Sequence, residues 1–398
     1  MKKIILLVFI SLLLVGCKEK VFEDKNQKFV KLIESNVPVY SDTFLKDIVE
    51  LSTNDNIELV SDNYKIDTDT LGEKEYEVFY KKDGKKFIYK FKVNILDTEA
   101  PIVFGGTNKT VFVGEEKELC DLITYGDNHD GEVSCKITGD YDLNTKGTYK
   151  LIYELSDKSN NIKKVNVTLN VVEKKINSGG NTTTVEPKRT LFSDVINAHK
   201  KDNTEIGIDV SKWQQVIDFE QVKNAGATFV LMRIGVQKTA KGELEIDPYY
   251  VENMKNAKKA GLKVGVYLYS IATSKNEAKE HAKWVLKTLD GEKLDLPVVF
   301  DWENWSKWNS YKISFHEINE VADTFMNTIK KSGYEAMLYS SKYYLESIWA
   351  NKLDYPVWLA HYTNKTNYEG DYVIWQLCND GKIDGINGAV DIDVMYKK

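Results

Sequence analysis

The sequence predicts a multidomain chain: two small all-β sandwich units followed by an α/β barrel. Three observations carry this. Short alternating strands with turn signals fill residues 27–173. Periodicity then disappears over 174–203, where Ser178-Gly179-Gly180-Asn181-Thr182-Thr183-Thr184 has the composition of a linker. From Ile206 onward, apolar strands alternate with amphipathic helical patterns. The 398 residues suffice for several domains. A formal charge of −6 with 29% charged residues is an ordinary balance, and no basic stripe asks for nucleic acid.

The first residues read as an export signal rather than as fold. Lys2 and Lys3 precede an apolar run from Ile4 to Val15, too short for a comfortable membrane span. Leu14-Val15-Gly16-Cys17 resembles a bacterial lipobox. That resemblance implies removal of residues 1–16, lipidation of Cys17, and a membrane-anchored protein outside the cytoplasm, with 17–26 as a tether. A plain signal peptide is the alternative. Cys120 and Cys135 share one small β unit of an exported chain, where a disulfide is expected to survive. Cys378, on an apolar strand, reads as a buried thiol. The five histidines are scattered and no metal-ligand spacing occurs, so neither metal nor organic cofactor is expected.

The β region repeats itself. Tyr76-Glu77-Val78-Phe79-Tyr80, a turn at Asp83-Gly84 and a strand from Phe87 to Val93 are followed about 75 residues later by Tyr149-Lys150-Leu151-Ile152-Tyr153, a turn at 157–161 and a strand from Val165 to Leu169. This divides the region into units 27–97 and 98–173. In the second, Asp97-Thr98-Glu99-Ala100-Pro101, the acidic turn Asp127-Asn128-His129-Asp130-Gly131 and Gly147-Thr148-Tyr149 resemble bacterial immunoglobulin-like surface domains. The acidic turn reads as a plain turn or as oxygen ligands for calcium, although its spacing fits no EF-hand loop. Both units are expected to act as spacers, with wall binding the sharper alternative.

Residues 204–398 carry eight predicted strands. The fourth, Leu296-Pro297-Val298-Val299-Phe300-Asp301-Trp302-Glu303, is a buried apolar run ending in two carboxylates. Side chains alternate on a strand, so Asp301 and Glu303 share one face and Trp302 takes the other. Like charges on an enclosed face raise the pKa of at least one of them, which is how an acid is kept protonated for catalysis. After Tyr339 the strands come closer together with little helical pattern between them. A (β/α) barrel lacking its last helices is the expected result. In such barrels the chemistry sits at the C-terminal strand ends, where Asp209, Asp301, Glu303 and Asp391 fall. Four acids on one rim are costly without work or partners.

Gly207-Ile208-Asp209-Val210-Ser211, Gly265-Val266-Tyr267, Asp301-Trp302-Glu303, Trp358-Leu359-Ala360-His361-Tyr362, Trp375-Gln376 and Val390-Asp391-Ile392-Asp393-Val394 together resemble glycoside hydrolase family 25, the Chalaropsis-type muramidases. The resemblance implies an irregular TIM-like barrel that cleaves the β-1,4 bond between N-acetylmuramic acid and N-acetylglucosamine in peptidoglycan. It implies Glu303 as general acid, Asp301 as its partner, and Asp209 and Asp391 flanking the cleft to position water or the substrate's acetamido group. Tyr267, Tyr269, Tyr339, Trp358 and Gln376 border the same rim and are expected to contact sugar or to pack the core. The expected partners are glycan strands and, through the lipid, the membrane; the expected state is a monomer. A non-catalytic wall-glycan-binding lipoprotein is the alternative reading.

Overall fold

The computed structural model describes residues 20–25, 29–52, 56–174, 188–239, 242–349 and 355–397. The expected signal and Cys17 lie outside these residues. The chain divides into two compact units, Met1–Thr98 and Glu99–Lys398.

In the first unit, a long hairpin of Gly72–Lys82 and Lys85–Leu96 forms the centre of a five-stranded sheet. Asp83 and Gly84 both take positive φ, the turn geometry that suits a tight hairpin. Asn36–Pro38 lies parallel to the end of the second hairpin strand. Val37, Ile48, Ile66, Val78, Tyr80, Val93 and Ile95 fill the core. The Tyr80 hydroxyl, carried into that core, donates to Asp24 at 2.7 Å.

The β part of the second unit repeats the plan. Gly147–Ser156 and Ile162–Val172 form the hairpin, and Asn108–Phe112 lies parallel to its second strand. Leu151, Tyr153, Val167 and Leu169 fill its own core. Cys120 and Cys135 form a disulfide, with Cα atoms 6.2 Å apart. In the acidic turn, Asp127 Oδ1 accepts from the backbone N–H groups of His129 and Asp130. This is the local side-chain-to-backbone bonding that makes Asp a turn former.

The rest of the second unit is a sheet closed on itself. We number its strands β1 (Thr204–Val210), β2 (Phe229–Gln237), β3 (Lys263–Tyr269), β4 (Val298–Asp301), β5 (Ala336–Ser341), β6 (Val357–Ala360), β7 (Ile374–Lys382) and β8 (Val390–Tyr396). Strands β1 to β7 pair in parallel in that order, and β8 closes the ring between β7 and β1. Phe229, Leu231, Val299, Met337, Ile374 and Met395 plug the interior. A larger apolar layer lies between the strands and the surrounding helices. Of these, α1 (Phe219–Asn224), α2 (Tyr250–Lys259) and α3 (Lys275–Leu289) precede β4, and α4 (Phe315–Lys331) follows it. Helix α4 starts at a capping box: Ser314 Oγ accepts from Glu317 N, and Ser314 N donates to Glu317 Oε2. Ile318, Val321, Ala322, Phe325, Met326 and Ile329 then recur at helical spacing as its buried stripe.

Three expectations need correction. First, β8 runs antiparallel to both neighbours. Its connection from β7 carries no crossover helix, and a short return can join only antiparallel strands. Second, the expected linker at 174–203 extends too far. Thr190–Leu191 pairs with β7, and the helix Phe192–His199 buries Phe192 and Val195 in the barrel's apolar layer. Third, the second β unit is not a domain separate from the barrel: the two fall in one compact unit, and Phe104 belongs to that same apolar layer.

Candidate active site

Pleat alternation decides what enters the barrel mouth. On β1 and β8, Asp209 and Asp391 are register partners, as are Gly207 and Asp393. On β4, Asp301 sits level with Tyr269 on one side and Tyr339 on the other. On β7, Gln376 is level with Asp393 and with Ala360. Of the four acids expected on the rim, Asp209, Asp301 and Asp391 thus come from three strands, and Glu303 follows Asp301 by two residues. Strand β4 ends at Asp301, so Glu303 stands beyond the strand rather than on it. There the chain already turns: Trp305 N donates to the Glu303 carbonyl at 2.7 Å, opening a short 3₁₀ turn. Asp209 and Asp301 are buried, Asp391 is half-buried, and Glu303 is exposed.

Gln376 ties the site together. Its amide nitrogen donates to Asp209 Oδ2 at 2.7 Å and to Asp391 Oδ2 at 3.3 Å. Its amide oxygen accepts from the Tyr339 hydroxyl at 2.9 Å and from Tyr362 at 3.2 Å. Trp358 Nε1 donates to Asp393 Oδ1 at 2.8 Å from below. The Tyr339 hydroxyl also lies against Glu303. A phenol has one proton, so it serves Gln376 or Glu303 but not both at once.

Burial raises the proton affinity of every acid in this ring. Asp209 is pushed well up by burial, then by the charges of Asp391 and Asp393, with Gln376 partly opposing. Asp393 is pushed well up by burial, opposed by the Trp358 hydrogen bond, with the charge of Asp391 raising it further and a hydrogen-bonding contact with Asp209 lowering it. Burial takes Asp391 to about 6. Asp301 rises through burial and the neighbouring Glu303, while Arg233 pulls it down. Glu303 rises through burial of its carboxyl and the charge of Asp391, against the Tyr339 hydrogen bond. The member of this set most open to solvent is therefore also held toward its protonated form. Such an arrangement can deliver a proton to a group entering the mouth.

The expected sugar contacts divide. Tyr267 and Tyr269 are half-buried, and Tyr269 stands beside Asp301 and Glu303. Trp358 is 1% exposed and Gln376 is 2% exposed, so neither presents a face to a ligand. Trp358 packs edge-on against Tyr339 and Tyr267 and holds Asp393. The expectation of sugar contact at Trp358 and Gln376 is corrected: both are buried, and their polar atoms are taken up by neighbouring acids and, for the Gln376 oxygen, by the Tyr339 and Tyr362 hydroxyls. Tyr339, 7% exposed, reaches the ring through its hydroxyl alone.

Sequence reasoning missed three residues here. Asp393 follows Asp391 by two and therefore shares its face, a signal the alternation rule contains. Arg233, buried in an apolar strand and paired with Asp247 at 2.6 Å, was legible as a charge that needs a partner. Tyr362, just past β6, carried no separate signal.

Residues 208–386 match the family model described as Glycosyl hydrolases family 25. The chain is 31% identical over 195 residues to the uncharacterized protein YegX of Escherichia coli O157:H7, an alignment covering 47% of this chain and 68% of that one. It is 30% identical over 189 residues to the autolytic lysozyme of Clostridium acetobutylicum, covering 47% and 54%. Among solved structures, a family 25 glycosyl hydrolase from Bacillus anthracis aligns at 20% identity and a TM-score of 0.44, covering 50% of this chain and 93% of that one. Sequence kinship and an acid-lined barrel mouth lead to one assignment: the chain belongs to glycosyl hydrolases family 25 and is a glycoside hydrolase of the lysozyme type.

Proposed function

We propose that this protein is a lipid-anchored muramidase. It cleaves the β-1,4 bond between N-acetylmuramic acid and N-acetylglucosamine in peptidoglycan, with Glu303 as the general acid. The observation that carries the reading is Glu303, open to solvent past the end of β4, with its carboxyl end enclosed enough to be held toward its protonated form above a floor of buried acids. Glu303 donates its proton to the leaving glycosidic oxygen. Asp391, the other partly open acid, lies close enough for its charge to act on Glu303 and titrates near 6. At neutral pH it is the ionised member suited to stabilise positive charge at the sugar or to orient the acetamido group. Asp209 and Asp393 stay protonated between them and, through Gln376, fix where Asp391 points. Asp301 is raised by burial and by the neighbouring Glu303 charge, so the two carboxyls resist ionising together.

The test is Glu303→Gln, assayed for reducing-sugar release from purified peptidoglycan. Loss of turnover in a folded protein supports the assignment; release at the wild-type rate refutes it. Binding to wall without turnover by the wild-type protein would favour the glycan-binding alternative. The lipid anchor at Cys17 rests on Leu14-Val15-Gly16-Cys17 and the apolar run before it. Cys17→Ser should move the protein from the membrane fraction to the soluble one, and unchanged fractionation would remove the anchor from the account. The repeated hairpin with a parallel flanking strand supports the reading of the two β units as immunoglobulin-like, and the seven parallel strands closed by an antiparallel eighth support that of an irregular (β/α) barrel.

A further inference from the structure

The segment just after Glu303 has a neighbour that the sequence did not announce. Residues 302–314 contain only a three-residue 3₁₀ turn, Trp305–Lys307, and one helical turn, Trp308–Tyr311. Helical pieces this short do not hold themselves in water. Trp305 and Trp308 are nonetheless 5% and 2% exposed. Part of their cover comes from the second β unit. The Phe104 ring lies edge-on to Trp308 at 5.6 Å, Phe315 at 5.8 Å, Tyr344 at 6.2 Å and Trp305 at 6.4 Å. Phe104 itself is 1% exposed.

Polar contacts fix the register of this seam. Asn309 works as a clamp: its Nδ2 donates to the Ile123 carbonyl at 2.9 Å, and its Oδ1 accepts from Tyr125 N at 3.2 Å. The first N–H groups of α4 are capped from the β unit, with Phe315 N donating to Asp127 O at 2.8 Å and His316 N to Asn128 O at 3.1 Å. Gly126 is glycine for room, since a Cβ there would lie 2.5 Å from Trp308 Nε1 and 2.8 Å from the Phe315 ring. The acidic turn singled out in the sequence is thus a docking turn. Every barrel residue in these contacts except Tyr344 and His316 lies within twelve residues of Glu303, and Trp305 bonds its carbonyl directly.

We propose that the second β unit is a working part of the active site, with Phe104 and Asn309 as positioning residues that hold the 302–315 segment and, through it, the Glu303 carboxyl. The acid sits past the end of its strand, where β4 no longer constrains it, and the constraint comes from across the seam. The inference rests on the reading of Glu303 as the acid.

The experiment uses the full chain. Phe104→Ala, Phe104→Leu and Asn309→Ala are compared with wild type for kcat, KM and the pH profile on soluble glycan oligomers, with circular dichroism to confirm folding. Phe104→Ala should lower kcat by about tenfold or more while KM changes little, because misplacement of a reacting group costs rate rather than binding. Its basic limb should move to lower pH as Glu303 becomes hydrated. Phe104→Leu should restore most of the rate, and Asn309→Ala should fall between. If Phe104→Ala does not fold, Asn309→Ala and Phe104→Leu carry the same readouts. Folded variants with wild-type kcat and an unshifted profile would overturn the proposal and return the unit to a spacer. Turnover retained by Glu303→Gln alongside a loss in folded Phe104→Ala would refute the acid assignment and overturn the route through Glu303, whereas loss in Glu303→Gln with wild-type behaviour in the seam variants would overturn the seam's role and leave the acid assignment intact.

Discussion

Asp301 and Trp302 are consecutive residues under opposite rules. Asp301 points into the barrel mouth, where buried acids crowd together and burial makes each of them hold its proton. Trp302 points outward, is fully buried, donates its Nε1 to the Ala272 carbonyl at 3.0 Å, and packs against Trp305 and Trp308. The inner face is arranged against stability and the outer face for it. What the difference teaches is that a destabilising site persists because the reverse side of the same strand is packed with large, satisfied aromatics. Substitutions on the two faces should therefore differ in kind.

The sharpest contrast is at residues 302 and 303. Glu303→Gln should reduce turnover by about a thousandfold, within the range of general acid catalysis, while the melting temperature stays level or rises. Trp302→Ala should do the reverse at first order. It removes a fully buried indole and should cost roughly 3–5 kcal/mol in denaturant unfolding, with activity lost only as the fold is lost. A Glu303→Gln variant that melted well below wild type would break the comparison.

A smaller effect sharpens it. Asp391 titrates near 6 in the folded protein, above its ordinary 3.8. The folded state thus keeps a proton that the unfolded chain has already released. Stability is fullest below the unfolded value and falls as pH rises through the folded one. From the gap between those two values, the fall amounts to at most about 3 kcal/mol. Asp391→Asn should abolish that fall and make the protein more stable at pH 7, with little change below pH 4. It should also move the basic limb of kcat/KM to lower pH, since the Asp391 charge is one of the causes holding Glu303 up. Unfolding curves at several pH values, paired with the rate profile, check both halves.

Much of this was legible in the sequence because the relevant rule was local. Alternation alone sent Asp301 inward and Trp302 outward, and the repeated hairpins announced two β units of one plan. Rules of that kind fail where contact is made across the chain. Trp358 read equally well as a sugar platform or as core, and only the neighbouring Asp393 decides for core. Glu303 was expected on the strand because the pattern cannot say where a strand ends. The antiparallel β8 follows from connection length, a weaker cue than the strand–helix alternation before it. The seam between Phe104 and Trp308 joins residues some two hundred positions apart and leaves no periodic trace.

The most direct test of the function is mass spectrometry of the fragments that the wild-type protein releases from purified peptidoglycan. The account predicts new reducing ends of N-acetylmuramic acid. Reducing ends of N-acetylglucosamine, or no glycan cleavage by the folded protein, would contradict it.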